Sequence, residues 1–312
     1  MAEEVTRPCV IVPGASGQIG LFAIPRLVAA GYEVIALSRK GQPEGFPELT
    51  AVTWQSHLEG GVESCPQSHS LPGPVMVLSA GPLGVAHDLL QQLPTARGLV
   101  AFSTTSVITK RASPDREERA EVQAIAEEEA RIGDLCRQRQ ISFCLLRPTL
   151  IYGCGMDRNV SFLARAIQTM PWFPVSGRAA GLRQPVHSDD LAAAAVSALT
   201  LLDRLPAELF LCGGSTLPYR EMLQRIAVAM GKRLKLVSLP EAVLLTLLRL
   251  VGWLPGLDGV RPEMVRRQGK DLVFDDRQAR ELLGYNPRAF RPRVEDFRRP
   301  DQAVLRRLAE TA

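Results

Sequence analysis

The sequence has little of three features that would point to particular classes of protein: paired cysteines, long apolar runs and an excess of one charge. Its six cysteines are scattered through 312 residues without a C-x-x-C pair, which argues against a disulfide scaffold and a zinc motif. This pattern predicts a reduced, cytoplasmic protein without a metal site. The net charge of +4 is too small to indicate a nucleic-acid surface. We therefore expect a globular protein that binds a small-molecule substrate. The sequence is compatible with both a monomer and a homodimer.

The apolar runs also argue against a membrane span. The longest, Ala242 to Leu254, is too short to cross a bilayer and contains Arg249. Its composition favours a buried helix, with contact to a membrane surface as the alternative. The N-terminal stretch MAEEVTRP has acidic residues and no apolar signal core.

Short apolar runs alternate with helical stretches through the first two-thirds of the chain. This alternation predicts a Rossmann-type α/β fold with a doubly wound parallel sheet. We expect a Rossmann domain over 1–213, in which 153–182 contributes to a substrate cleft, and a smaller, mainly helical substrate-binding subdomain over 214–312. The polar stretch 57–74 is expected to be a surface loop. The predicted strands are CVIVPG, YEVIALS, LTAVTW, VMVLSA, LVAFST and ISFCLLRP.

A turn with three glycines, Gly14, Gly17 and Gly20, follows the first predicted strand and opens a helix. In a dinucleotide-binding turn, the first glycine permits the tight bend, the second lets the backbone approach a pyrophosphate, and the third lets helix pack on strand. A purely structural turn is the alternative. The expected cofactor contacts here are Gly14, Ser16, Gly17, Gln18, Ile19 and Gly20, with Ser79 and Ala80 at the end of VMVLSA.

The end of the second predicted strand indicates which dinucleotide is bound. Sites for NAD usually carry an acidic residue here to accept the ribose 2′-hydroxyl, whereas this chain has Ser38, Arg39 and Lys40. A guanidinium can bind a 2′-phosphate that an acid would repel. The sequence therefore predicts NADP, with contacts from Ser38 and Arg39, and NAD is the alternative.

Five motifs in order resemble the extended short-chain dehydrogenases/reductases of the NAD-dependent epimerase/dehydratase group. They are GASGQIG, LVAFSTTSV, LLRPTLIYGCG, RQPVHSDDLAAA and ELLGYNPR, and together they cover about residues 8 to 290. The resemblance implies a Rossmann fold with a smaller substrate subdomain. It also implies an oxidoreductase that acts on a nucleotide-linked sugar or a similar polar substrate.

The resemblance further implies roles for individual residues. Thr105 occupies the catalytic Ser/Thr position, and Ser103, Pro148 and Thr149 would lie beside the nicotinamide and its ribose. In the stretch RQPVHSDDL, Arg183 would hold the diphosphate of a nucleotide sugar, and Asn159 is expected to contact the same substrate. An ion pair of Arg183 with Asp189 or Asp190 is the alternative.

Two departures from the family pattern are visible. The Tyr-x-x-x-Lys pair that transfers protons is absent, because Glu121 and Ile125 stand at those positions. We expect a replacement relay in which Tyr152 and Lys110 join Thr105. The family's acidic residue near the adenine is also missing, and His57 or Gln55 would replace it.

Two functions from different classes follow. The first is an epimerase/dehydratase-like enzyme with a non-standard proton relay. The second is a non-catalytic NADP-binding sensor or assembly factor, as in the NmrA-like group or a complex I accessory subunit.

Overall fold

The computed structural model describes residues 7–56, 74–170, 172–251 and 261–310. Its strands are β1 Cys9–Pro13, β2 Glu33–Ser38, β3 Val52–Ser56, β4 Val75–Ser79, β5 Ala96–Phe102, β6 Ser142–Pro148, β7 Leu150–Tyr152, β8 Trp172–Ser176, β9 Leu182–Arg183, β10 Pro185–His187, β11 Glu208–Leu211, β12 Leu217–Pro218 and β13 Lys235–Leu239. Its helices are α1 Gly20–Ala29, α2 Leu83–Gln92, α3 Ser106–Thr109, α4 Arg116–Arg139, α5 Val160–Thr169, α6 Ser188–Leu201, α7 Tyr219–Ala229, α8 Glu241–Val251, α9 Pro262–Arg266, α10 Arg277–Leu283 and α11 Gln302–Glu310.

A seven-stranded parallel sheet forms the centre of the molecule, in the order β11-β6-β5-β4-β1-β2-β3. The predicted doubly wound α/β fold is confirmed, and each of the six predicted strands is a strand of this sheet. The chain reverses direction across the sheet between β1 and β4. Ligands bind at such a switch point, beside the carboxyl ends of the strands.

Side chains at alternate positions of the strands belong to two separate hydrophobic cores. Val10 and Val12 of β1 face α1, α6 and α11, whereas Ile11 faces α2 and α4. This period of two is what a strand covered on both sides requires. It explains why the strand sequences are apolar at every position rather than at every second one.

A third core lies outside the sheet and joins α5 and α7 to the strand pair β8–β13. The last part of the chain returns from this region to the sheet, because Leu283, Tyr285 and Leu305 belong to the core that covers α1 and α6. The division of the chain at residue 213 stays a prediction. The predicted loop lies, except for its last residue, outside the described residues, as do His57 and Cys65.

The apolar run that begins at Ala242 forms α8, but the expectation of a buried helix is wrong for much of it. Leu244 is buried, while Val243 and Leu247 are each more than two-fifths exposed. Within the described ranges, no helix has the length and apolar character needed to cross a membrane.

Candidate functional site

The glycine turn between β1 and α1 is tightly closed. Gly14 has a φ of +76°, and a Cβ atom there would lie 2.4 Å from the backbone nitrogen of Gly81. The N–H of Gly17 donates to the carbonyl of Gly14 at 2.8 Å. A Cβ on Gly20 would lie 2.5 Å from that same carbonyl oxygen. Only glycine fits at these two positions: at Gly14 both the backbone conformation and the lack of space exclude a side chain, and at Gly20 the lack of space does.

The start of α1 offers unpaired backbone donors. No side chain caps the helix, whose N-cap residue is Ile19. Among the residues that the structure describes, the N–H groups of Ser16, Gln18 and Ile19 have no acceptor. Unpaired N–H groups and the helix dipole make such an end suitable for phosphate.

Three polar side-chain atoms at this edge of the sheet are buried without a hydrogen-bond partner in the described chain. They are Gln18 Oε1, Gln55 Oε1 and Ser79 Oγ. Ser79 ends β4 and is fully buried, and the next residue, Ala80, donates its N–H to the carbonyl of Pro13. Buried polar atoms are normally paired, so these atoms fit a site completed by a polar ligand.

The turn after β2 presents cations. The hydroxyl of Ser38 donates to the carbonyl of Gly41, and this contact closes the turn. Arg39 and Lys40 are both exposed on it. The turn therefore places positive charge beside the carboxyl end of β2, where an acidic residue would favour an unphosphorylated ribose.

The ends of β5 and β6 are joined by a buried charged cluster that the sequence did not predict. Arg147 donates to both oxygens of Glu129, at 2.7 and 2.9 Å, and its Nε donates to Glu208 at 2.8 Å. The hydroxyl of Ser103 donates to Glu129 as well. This cluster holds Ser103 and the end of β6 in place. Because the Ser103 hydroxyl donates to Glu129, its proton is not available to a ligand.

Thr105 and Thr149 lie beside the same strand end. The hydroxyl of Thr105 donates to the carbonyl of Pro148 at 3.1 Å, and Thr105 is nine-tenths buried. The hydroxyl of Thr149 donates to the carbonyl of Gln184. The structure thus brings Ser103, Thr105, Pro148 and Thr149 to adjacent loops, which the sequence predicted as the nicotinamide side.

Tyr152 and Lys110, the two residues expected to replace the missing relay, have different surroundings. Tyr152 is 1% exposed and packs edge-on against His187 and Phe290, and burial raises the pKa of its hydroxyl far above its usual range. Lys110 follows α3 and is partly exposed, with its Nζ 3.3 Å from Glu118. The contacts of Tyr152 are those of a core residue, whereas the Lys110 ammonium reaches solvent.

The two relay positions on α4 hold no proton-transfer pair. Glu121 is exposed and accepts a hydrogen bond from Arg261 at 2.9 Å. Ile125 packs against the core beneath α4. The sheet-facing stripe of this helix carries Glu118, Val122 and Glu129 instead, so its buried carboxylates serve ion pairs.

Arg183 on β9 is buried and has no carboxylate partner in the described part of the chain. Its Nη1 donates to the carbonyls of Leu182 and Lys270, and its Nη2 donates to that of Arg267. A guanidinium has five N–H donors, so two remain without a described acceptor. Burial lowers the pKa of Arg183 to about 10, which leaves it charged at neutral pH.

The alternative pairing of Arg183 with Asp189 or Asp190 is wrong. Asp189 accepts from Arg26 and Arg288, and Asp190 also accepts from Arg288. These bonds tie α6 to α1 and to the segment that follows α10. The two acids are therefore already paired with other cations, and neither forms an ion pair with Arg183.

Asn159, which the sequence predicts to contact the substrate, and His187 each lie at the start of a helix. Asn159 is exposed at the start of α5, where its N–H donates to Asp157 at 3.0 Å. The Nδ1 of His187 accepts from the N–H of Asp189 at 3.1 Å, so His187 caps α6. The described residues contain no cluster of three or more His, Cys, Asp or Glu side chains placed to hold a metal ion.

The sheet order, the glycine turn at the switch point and the unpaired donors of α1 define a Rossmann-type dinucleotide-binding fold. No family model and no curated protein matches the chain. Solved structures of nucleotide-sugar epimerases share its fold over almost their whole length. UDP-glucuronic acid 4-epimerase from Bacillus cereus, solved with UDP-glucuronic acid and NAD, is 15% identical over 90% of this chain and 94% of its own, with a TM-score of 0.62.

Two further structures show the same similarity. WbmF from Bordetella bronchiseptica, solved with NAD+, is 15% identical over 98% of this chain and 97% of its own, with a TM-score of 0.63. MoeE5, solved with UDP-glucose and NAD, is 21% identical over 92% and 95%, with a TM-score of 0.58. At these identities the similarity establishes the fold alone, and a function has to follow from the residues of the site.

Proposed function

We propose that this protein is an NADP-dependent oxidoreductase of the epimerase/dehydratase type, acting on a nucleotide-linked sugar. The observation that carries the proposal is Arg183, a buried cation with two N–H donors unused and no ion pair with any described carboxylate. A planar guanidinium with a side open matches the paired oxygens of a diphosphate. The solved structures of similar fold that hold UDP-glucuronic acid or UDP-glucose support this substrate class.

The residues at the sheet edge fit the dinucleotide. Its pyrophosphate would meet the N–H groups of Ser16, Gln18 and Ile19, and Gly17 would allow the close approach. Ser79 and Gln18 would gain partners for their buried oxygen atoms. Arg39 would bind the 2′-phosphate of NADP, although the similar structures named above hold NAD. When bound, the nicotinamide supplies a hydride acceptor or donor.

We assign proton handling to Thr105 and Lys110 rather than to Tyr152. Thr105 lies beside Pro148 at the strand ends, where its hydroxyl can accept a hydrogen bond from the reacting substrate hydroxyl while it donates to Pro148. Lys110, partly exposed near the same loop, would give a proton to the substrate oxygen when a keto-sugar is reduced and, as the neutral amine, would take the hydroxyl proton when the sugar is oxidised. Tyr152 is enclosed by aromatic side chains, so it would pack in the core and transfer no proton.

Asn159 would contact the substrate from the exposed start of α5. We further propose that the protein works in the cytoplasm, which is supported by five buried cysteines without a disulfide in the described chain. Whether it acts as a homodimer can be settled by light scattering of the purified protein.

The second function, NADP binding without turnover, is favoured by one observation. Glu121 is held by Arg261 and Ile125 is packed in the core, so α4 offers no proton donor at the relay positions. Calorimetric titration of the NADPH-loaded protein with UDP-glucose separates the two functions at the level of binding. The proposed enzyme binds both ligands together, whereas a sensor of the cofactor alone binds no nucleotide sugar.

A further inference from the structure

Glu118 of α4 is a carboxylate with almost no contact with water. It is 1% exposed, and both of its oxygens accept from the guanidinium of Arg267, at 2.7 and 2.8 Å. The hydroxyl of Ser113 donates to it at 2.9 Å, and Lys110 lies 3.3 Å away. A buried carboxylate with this many donors is held in one position.

Arg267 connects this carboxylate to the proposed substrate site. Its backbone carbonyl accepts from Nη2 of Arg183 at 2.6 Å, and the carbonyl of Lys270, three residues later, accepts from Nη1 at 2.8 Å. Two carbonyls of one short segment therefore set the plane of the Arg183 guanidinium. The side chain of Arg267 is the part of this segment that reaches Glu118.

Backbone bonds join the same segment to β9. The N–H of Gly181 donates to the carbonyl of Gln268 at 3.0 Å, and the N–H of Leu272 donates to the carbonyl of Leu182 at 3.0 Å. A Cβ on Gly181 would lie 2.4 Å from the carbonyl oxygen of Lys270, which shows how closely the two backbones approach. Movement of the segment would therefore move both β9 and Arg183.

We infer that Glu118 is a positioning residue, which holds the segment 267–270 through the side chain of Arg267 and thereby orients Arg183 toward an anionic ligand. The effect of Glu118 on ligand binding rests on the proposed function. Its effect on the position of Arg183 does not. Helix α4 would thus have a different task from that of the helix in the similar family. The helix of the similar family carries a proton relay. Helix α4 instead carries Glu118, which positions Arg183, the cation proposed to bind the substrate.

The positioning is tested by hydrogen exchange in the full-length protein. Glu118→Gln should speed exchange at the amides of Gly181 and Leu272 by about tenfold or more, since it weakens charge-assisted bonds. Glu263→Gln is the matched control, because Glu263 is a buried acid whose side chain pairs with Arg266 in the same region. Its carboxylate makes no described bond to Arg183 or Arg267, and the substitution leaves the carbonyl that accepts the Arg267 N–H unchanged. It should leave both amides unchanged.

Arg267→Met gives a second variant, and it leaves intact the carbonyl that holds Arg183. It should speed exchange at the same two amides, and it keeps the test available should Glu118→Gln fail to fold. Unchanged exchange at Gly181 and Leu272 in either variant, when folded, would overturn the inference.

Titration with UDP then separates this inference from the proposed function. Glu118→Gln should weaken UDP binding, and it should have no further effect in a chain that already carries Arg183→Ala. Equal and additive losses in both backgrounds would show that Glu118 does not act through Arg183. Faster exchange in a protein that binds no UDP would support the positioning and reject the proposed substrate.

Discussion

Arg183 lies over the ring of Tyr219, with its guanidinium carbon 5.4 Å from the ring centroid. Burial raises the pKa of the Tyr219 hydroxyl to about 12, so the tyrosine is neutral at physiological pH. It stabilises the cation through its ring without neutralising it. The arrangement keeps a full positive charge in a buried place. The electrostatic attraction between this charge and an anionic group is stronger there than in water.

Arg183→Ala should therefore weaken the binding of UDP-sugars by about tenfold or more, because a charge-assisted hydrogen bond is typically worth about 1.5–3 kcal/mol. The affinity for NADPH should stay nearly the same, since the glycine turn belongs to the central sheet, whereas Arg183 is on β9, which pairs with β12 outside that sheet. Calorimetric titration of both ligands measures the difference. Arg220→Ala, which removes an exposed arginine of α7, should change neither affinity. A lower melting temperature with unchanged UDP-sugar binding would make Arg183 a purely structural residue.

Arg39→Ala should remove most of the preference for NADPH over NADH. The native protein should bind NADPH about tenfold or more tightly, because only NADPH has the phosphate that a guanidinium at the end of β2 would bind. Fluorescence titration with each reduced cofactor gives the two affinities. Lys40→Ala, which removes the neighbouring exposed charge, should have a smaller effect. Equal affinities in the native protein would contradict the assignment of NADP.

Gly17→Ala should impair cofactor binding and leave the fold intact. The backbone there accepts an L-residue, and the added methyl would lie 3.0 Å from the carbonyl of Gly14, a contact that small shifts relieve. The methyl would stand where a pyrophosphate has to approach the backbone. Gly31→Ala is the control, since its φ of +84° costs stability but it lies in open space after α1. NADPH titration and thermal melting should give opposite results for the two variants.

Glu118 should contribute to stability in a defined range of pH. Hydrogen bonds from Arg267 lower its pKa from 4.5 to about 2, against the opposing effect of burial. A carboxyl with a lowered pKa stabilises the folded protein above its unfolded pKa, and this stability is lost as the pH falls from about 4.5 toward 2. Urea unfolding should show a shallower pH dependence for Glu118→Gln across this range. The same variant should lose about 3–5 kcal/mol at pH 7, because it leaves Arg267 buried without its charged partner. A slope equal to that of the native protein would show that other carboxyls determine acid unfolding.

The strands and the glycine turn could be predicted because their signals are local. A continuous apolar run such as Cys9–Pro13 indicates a strand that is buried on both faces. The spacing of Gly14, Gly17 and Gly20 indicates a tight turn in which the backbone leaves no room for side chains. The partners of charged residues could not be predicted. Glu118 and Arg267 are 149 positions apart, and nothing in either neighbourhood marks the other.

Helix α8 was harder to predict for a related reason. Besides Glu241, Thr246 and Arg249 its residues are apolar, so apolar side chains such as those of Val243 and Leu247 are exposed as well. The cap of α6 could not be predicted from residue type either. Ser188 and Asp189 are the usual N-cap types, but the imidazole of His187, one residue earlier, accepts the N–H of Asp189.

The central claim, that the protein transfers hydride between NADP and a nucleotide-linked sugar, is tested most directly by single-turnover mixing. Protein loaded with NADP+ is mixed with a panel of UDP-sugars, protein loaded with NADPH is mixed with the matching keto-sugar nucleotides, and the nicotinamide absorbance is followed. We expect a rise in the first case or a fall in the second, which needs a higher concentration of the sugar nucleotide in Arg183→Ala, is slowed by Lys110→Met and is unchanged by Tyr152→Phe. No change of absorbance with either form of the cofactor, in a protein that binds NADPH tightly, would contradict the account and identify a binder that does not turn over.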